Sequence, residues 1–234
     1  MKRLFIVVEG QTEQEFVNTL LRPWLNGYGI LDVTPVLIKT SKHGRGGHVN
    51  AEHLKNTING LLREANDRDL VVTTFVDFFR IPDNMPGYNE AMQLADSVAQ
   101  VASLEKSLAE AIHDWRFLPY IQRHEFEALV FSSNAGFEKY CNEEQSIKTA
   151  AIINAFQNPE DINSSPETAP SKRLKALIPT YDKVILGNLL ALEIGMEVIM
   201  GRCPRFASWL QELVKRVSDT DNPNQRSTMC IAWI

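Results

Sequence analysis

Leu4-Phe5-Ile6-Val7-Val8-Glu9-Gly10-Gln11-Thr12-Glu13 is the stretch whose reading decides the fold. Residues 3–8 read as a buried strand, with a continuous apolar, β-branched and aromatic run after Arg3. The run stops at an acid and a glycine, and a helix start follows at once. Thr12-x-x-Glu15 matches a capping box, and Phe16, Val17, Leu20 and Leu21 recur at helical spacing until Pro23 and Gly27 bring the helix to an end. A strand that hands over directly to a helix delivers its terminal carboxylate to the carboxyl edge of a parallel sheet, where ligands bind in open α/β folds. Glu9 is therefore the first candidate functional residue.

Working outward, a second strand is expected over 31–39, then a polar glycine-rich loop over 40–50 and a helix over 51–66. Leu70-Val71-Val72-Thr73-Thr74-Phe75-Val76 is the next clear strand, and it too ends in an acid, Asp77. A turn at 82–87 leads to a helical region reaching Asp114, and 116–122 reads as a fourth strand. This alternation of strand and helix predicts a parallel, Rossmann-like α/β core over 1–132. The remainder, 133–234, reads as a mostly helical region packed on that core. Its helices are expected near 143–157, 172–178, 183–200 and 204–217, with a hydrophilic, proline-bearing break at 158–171.

A chain of 234 residues can bury a full core without disulfides or a structural metal. The net charge of −5 excludes the global basic footprint of a protein that coats DNA. Cys141, Cys203 and Cys230 are odd in number and form no CxxC, which fits reduced thiols and a cytoplasmic location. Glu9 interrupts the first apolar run too early for a signal peptide, and no apolar stretch approaches membrane-spanning length.

Acids at the ends of strands carry the chemistry. Glu9 and Asp77 each follow a buried-looking strand, and neighbouring strands would turn both carboxylates into one crevice. Glu13 lies one helical turn beyond Glu9, while Glu125 and Glu127 follow the fourth strand; Asp83 is a further oxygen donor nearby in sequence. Such a donor set suits Mg²⁺ or Mn²⁺ rather than a thiolate- or imidazole-seeking metal. Each acid taken singly is equally a helix cap or half of an ion pair; their joint placement at three strand ends favours function.

Basic residues supply a complementary edge. Lys42, His43, Arg45 and His48 crowd a loop with three glycines, which lets backbone and cation approach a phosphate. No Gly-Lys-Ser/Thr opens the next helix, so the loop is not a P-loop. Lys172 and Arg173 open a predicted helix, either as an anion site or as a capped surface helix. Lys183 sits in Tyr181-Asp182-Lys183, which also reads as a plain turn. His124-Glu125 lacks the second histidine of a zinc-protease motif, since position 128 is Ala128. Phe206 and Trp209 read as core.

Val8-Glu9-Gly10-x-Thr12-Glu13 resembles the acidic signature of TOPRIM domains, the fold shared by topoisomerases, primases and OLD-type nucleases. The chain is similar to small, largely uncharacterised TOPRIM-like proteins often encoded beside ABC-type ATPases in bacterial defence loci. The matching segments are Val76-Asp77, Arg123-His124-Glu125-Phe126-Glu127-Ala128-Leu129, Pro170-Ser171-Lys172-Arg173-Leu174, Tyr181-Asp182-Lys183 and Cys203-Pro204-x-Phe206-x-x-Trp209-Leu210. The resemblance implies a TOPRIM-like core, Glu9 as a metal-associated catalytic acid, Asp77 as a metal ligand, and Glu13 as the second glutamate of OLD-like sites. It also implies a Mg²⁺-dependent nuclease acting on DNA or RNA as the effector of an ATPase partner in antiviral defence. Homo-oligomerisation stays open. One departure is plain: Asp77-Phe78-Phe79 has Phe79 where a second aspartate belongs. That substitution keeps two alternatives in view, a non-catalytic binding or regulatory subunit and a small-substrate phosphatase.

Overall fold

A computed structural model of the chain describes residues 3–38, 50–64, 70–162 and 167–218. Strands β1 (Arg3–Val8), β2 (Asp32–Leu37), β3 (Leu70–Asp77) and β4 (Phe117–Leu118) form a parallel sheet in the order β2-β1-β3-β4, and β5 (Ile121–Gln122) runs on beside β3. The first half contributes α1 (Gln11–Phe16), a π-helical turn (Val17–Leu21), α2 (Arg22–Asn26), α3 (Ala51–Glu64), α4 (Tyr88–Met92) and α5 (Ser97–Ile112). The second half is helical: α6 (Ala135–Tyr140), α7 (Glu143–Ala155), α8 (Pro170–Leu177), α9 (Leu186–Ile194), α10 (Met196–Arg202) and α11 (Pro204–Ser218). A parallel α/β core followed by helices is the fold class expected from the sequence.

Alternation along the strands divides the core into two layers. Leu4, Ile6, Val8, Val71 and Phe75 face a cluster shared with α1 and the helices of the second half. Val7, Leu70, Val72 and Val76 face the other way, onto Leu54 and Ile58 of α3 and Leu104 and Leu108 of α5. The two halves of the chain thus share one apolar interior. Phe75 lies at its centre, with Phe16, Tyr120, Phe126, Phe206 and Trp209 around it at ring-centroid distances from 5.5 to 6.5 Å. Trp209 stacks on Tyr120 at 4.3 Å and donates its indole N–H to Thr73 Oγ1 at 2.9 Å, so Phe206 and Trp209 are core as expected.

Several boundaries differ from the sequence expectation for local reasons. The fourth strand is interrupted at Pro119, which has no N–H to give. The Thr74 hydroxyl bridges the gap, accepting from Tyr120 N–H and donating to Tyr120 O, both at 2.8 Å. On the outer side, Ile121 N–H donates to Glu105 Oε1 of α5 at 2.8 Å, and Glu105 pairs with Arg205 at 2.7 Å. The helix expected over 183–200 is two helices, because Gly195 takes φ +81° between α9 and α10. The helix-start signal at Thr12-x-x-Glu15 is displaced. The helix begins at Gln11, with Gly10 at its N-cap, and Glu13 reaches back to accept Gly10 N–H at 2.9 Å. Pro23 falls in the first turn of α2, where its missing N–H costs nothing, so the helical path continues to Asn26. No helix of the described residues is long and apolar enough to cross a membrane.

Phe75→Ala removes the ring at the centre of this cluster and is expected to destabilise the fold by about 3–5 kcal/mol. Urea denaturation followed by tryptophan fluorescence measures it; an unchanged midpoint would show that the sheet and the second half do not share one core.

Candidate metal centre at the carboxyl edge of the sheet

Parallel pairing of β1 with β3 runs from Arg3↔Leu70 to Val8↔Phe75, so the residues that follow both strands emerge at the same edge. Glu9 follows β1, Asp77 closes β3, and the backbone of Asp77 hydrogen-bonds to the Glu9 carboxyl. Beyond β5 the chain keeps to the side of β3: Phe78 N–H donates to Gln122 O at 2.9 Å and Phe79 N–H to His124 O at 2.8 Å. His124 then takes a left-handed turn at φ +69°, and Phe126 N–H donates to Asp77 Oδ1 at 2.9 Å. The turn opens the 3₁₀ segment Phe126–Ser132 and sets Glu125 and Glu127 beside Asp77, both buried.

Each acid is held by a donor of its own. Glu13 keeps Gly10, Asp77 keeps Phe126, and Glu125 accepts from both the N–H and the hydroxyl of Ser171 at 2.9 Å. None of these partners is a cation. Lys183, exposed, is the base whose charge reaches Glu13, Glu127, Asp77 and Glu9; burial works against its ammonium, and those acids more than restore it, leaving its pKa raised.

Among the described residues five carboxyls face one ammonium, an unfavourable balance, and proton affinity shows it. Asp77 is driven well above the aspartate range, first by burial and then by Glu13, Glu9, Glu127 and Glu125. Glu9 is raised by desolvation and by Glu13, although the residue itself stands exposed at the edge. Glu127 is pushed up to about 7 by burial and the Glu125 charge, against the pull of Lys183. Crowding of this kind raises the proton affinity of the edge and makes added positive charge favourable there.

The donor set fits a hard divalent ion in kind: all oxygen, mostly carboxylate, with orientations fixed by backbone N–H groups. It is not assembled as a closed cage, since among the described residues no three acids, histidines or cysteines stand together in ligating geometry.

The structure brings together Glu9, Glu13, Asp77, Glu125, Glu127 and Lys183. It leaves Asp83 apart: the turn at 82–87 carries that residue into solvent. Lys172 is exposed one residue beyond Ser171. Arg173 is turned away, donating to Thr168 O at 2.8 Å and lying over the Phe156 ring. The N–H of Ser171, in the first turn of α8, is occupied by Glu125 rather than free for an external anion. Lys42, His43, Arg45 and His48 lie outside the described residues. His124 is buried, with neither ring nitrogen partnered among the described residues, and its pKa is lowered to about 4, by burial and then by Arg123. Sequence reading missed Ser171 as a partner of Glu125; the only signal was its position at the start of a helix, which names no acceptor.

A family model described as a domain of unknown function (DUF4276) matches residues 8–214. Among solved structures, the chain is similar to the C-terminal region of the Burkholderia pseudomallei OLD protein, with a TM-score of 0.48 and 12% identity over 92% of this chain and 99% of that one. No curated protein matches the sequence.

The raised affinity of Glu127 sets a pH dependence. The folded state holds this proton up to about 7 and the unfolded chain only to its ordinary 4.5, so stability falls as pH rises between those values. In metal-free protein the loss attributable to Glu127 is expected to reach about 3 kcal/mol across that interval. Glu127→Gln should remove it. Parallel urea titrations of the two proteins over this range check the prediction, and superimposable pH profiles would refute it.

Proposed function

We propose, for a chain that belongs to the DUF4276 family, that its carboxyl-edge acid cluster is the centre of a divalent-metal-dependent phosphodiester hydrolase acting on DNA or RNA. The observation that carries the reading is the convergence of Glu9, Glu13, Asp77, Glu125 and Glu127 at one sheet edge, with Lys183 as a cation shared by Glu9, Glu13, Asp77 and Glu127. The TOPRIM-like motif around Glu9 supports the same chemistry.

Glu9 and Asp77, helped by Glu13, Glu125 and Glu127, would hold Mg²⁺ or Mn²⁺, which when bound supplies charge to the phosphate oxygens and to the leaving oxygen. The chain's own groups do the rest. Glu9 is exposed and has a raised proton affinity, the properties of a group that accepts a proton from an attacking water. Lys183 keeps its positive charge beside the acids and offers it to a phosphate. Lys172, exposed near the start of α8, would contact the nucleic acid; Lys42, His43, Arg45 and His48, outside the described residues, are the further bases proposed to bind its phosphates. Residues 1–132 form the catalytic core of this reading, and 133–234 the helical region that braces it through Ser171 and Lys183. A cytoplasmic site of action beside an ATPase partner in antiviral defence belongs to the same proposal.

A second reading, a non-catalytic binding subunit, is favoured by Phe79, which follows Asp77 where another acid would complete an Asp-x-Asp pair.

The separating experiment is cleavage of plasmid, single-stranded DNA and tRNA with Mg²⁺ or Mn²⁺, with mononucleotides and inorganic pyrophosphate as competing substrates. Metal-dependent cutting of polymer is expected, lowered about a hundredfold or more in Glu9→Gln and Asp77→Asn proteins that keep the wild-type circular dichroism. Cleavage that ignores both substitutions would sink the assignment. Turnover of small phosphates alone would make the protein a phosphatase, and saturable binding without turnover would make it a binding subunit.

A further inference from the structure

The chain that leaves β3 carries two phenylalanines with different fates. Phe78 packs on the apolar layer that β3 shares with α3 and α5. Phe79 joins neither apolar layer among the described residues and stays half-buried. Its backbone is fixed all the same: Phe79 N–H donates to His124 O at 2.8 Å, and Ile81 N–H closes a turn on Phe78 O at 3.0 Å. One residue separates Phe79 from Asp77, so their Cα atoms lie within about 7 Å of each other. An aromatic ring is thereby held near the acid edge, outside both apolar layers.

Arg80 adds a second flat group. Its guanidinium lies over the Phe79 ring, 5.3 Å from the centroid, and makes no ion pair or hydrogen bond among the described residues. The residue is exposed, and its backbone stands at φ +63°. At the third position of such a turn a positive φ suits glycine or asparagine, and a side chain with a Cβ is strained there. The strain serves no packing or pairing of Arg80 beyond its contact with the ring. A phenyl ring and a guanidinium plane, one of them cationic, beside a site that takes phosphates are the parts with which proteins stack an unpaired nucleobase. A base inside a duplex has both faces covered by its neighbours, so a platform of this kind selects a strand whose bases are free.

We propose that Phe79 and Arg80 form a stacking platform for an unpaired nucleobase beside the acid cluster, so that the polymer taken at this edge is single-stranded or locally opened nucleic acid. The assignment rests on the reading of the cluster as a phosphodiester site. The residue that stands where a second aspartate would complete an acidic pair then serves substrate choice in place of metal binding.

Fluorescence anisotropy in Ca²⁺ compares an oligothymidylate with an abasic oligomer of the same length, which carries the same phosphates and no bases. The wild-type protein is expected to bind the oligothymidylate about tenfold more tightly, and unlabelled single strand should displace it better than a blunt duplex does. Phe79→Leu keeps apolar bulk but has no aromatic face; it should lose the preference for bases while its affinity for the abasic oligomer is unchanged. Phe79→Trp should retain the preference. Arg80→Gly relieves the backbone and removes the guanidinium, so it should melt no lower than wild type yet bind the oligothymidylate less tightly. Equal wild-type affinity for the two oligomers overturns the platform, as does a preference that survives in Phe79→Leu. A duplex that competes as well as the single strand overturns the substrate class. Cleavage judges the hydrolase reading separately: cutting without any base preference removes the platform alone, whereas a base preference lost in Phe79→Leu without cutting supports the platform and removes the hydrolase.

Discussion

The parallel register of β1 on β3 is the constraint from which the rest of the molecule follows. Because the two strands run the same way and end nearly level, the acids that succeed them share one edge whether or not they repel each other. The cost of crowding is carried by the apolar layers on both sheet faces and by backbone donors aimed at individual carboxyls. Gly10 on Glu13, Phe126 on Asp77 and Ser171 on Glu125 are such donors, and each comes from a different segment. The cluster is thus a product of the whole chain, closed by residues more than a hundred positions apart in sequence.

That architecture explains why the second half is helical yet indispensable to the edge. Helices α9 to α11 cover the face of the sheet that bears Leu4, Ile6 and Phe75, while α8 sends Ser171 to Glu125. The segment between α8 and α9 supplies Lys183, whose charge acts on the acids. One part of the second half fills the interior and another finishes the site, and the same aromatic cluster makes both arrangements rigid.

Much of this was legible in the sequence, and the legible part has a common physical basis. Buried strands announce themselves by continuous apolar character, so the residues that end them, Glu9 and Asp77, could be placed before any coordinates. Glu125 and Glu127 were readable for the same reason. What failed depended on groups with no sequence signature. Gly10 caps its helix without a side chain, which drew the expected box to Thr12 and Glu15. Pro119 cuts a strand whose apolar pattern is uninterrupted, and the bridging hydroxyl of Thr74 comes from another strand. Gly195 splits a helix that hydrophobic spacing alone would join. Asp83 shows the opposite error, an acid close in sequence to the site and carried away from it by a turn.

The interrupted fourth strand has one more consequence. An outermost strand normally presents a row of open backbone groups on which a foreign strand can nucleate. Here Pro119 contributes no hydrogen to that row, and the next outward-facing amide, that of Ile121, is already claimed by Glu105. The margin is chemically blunted, so recruitment of further strands, and the fibrillar association it seeds, is discouraged on that flank. The opposite edge of the sheet, β2, has Pro35 within its span and is interrupted in the same way.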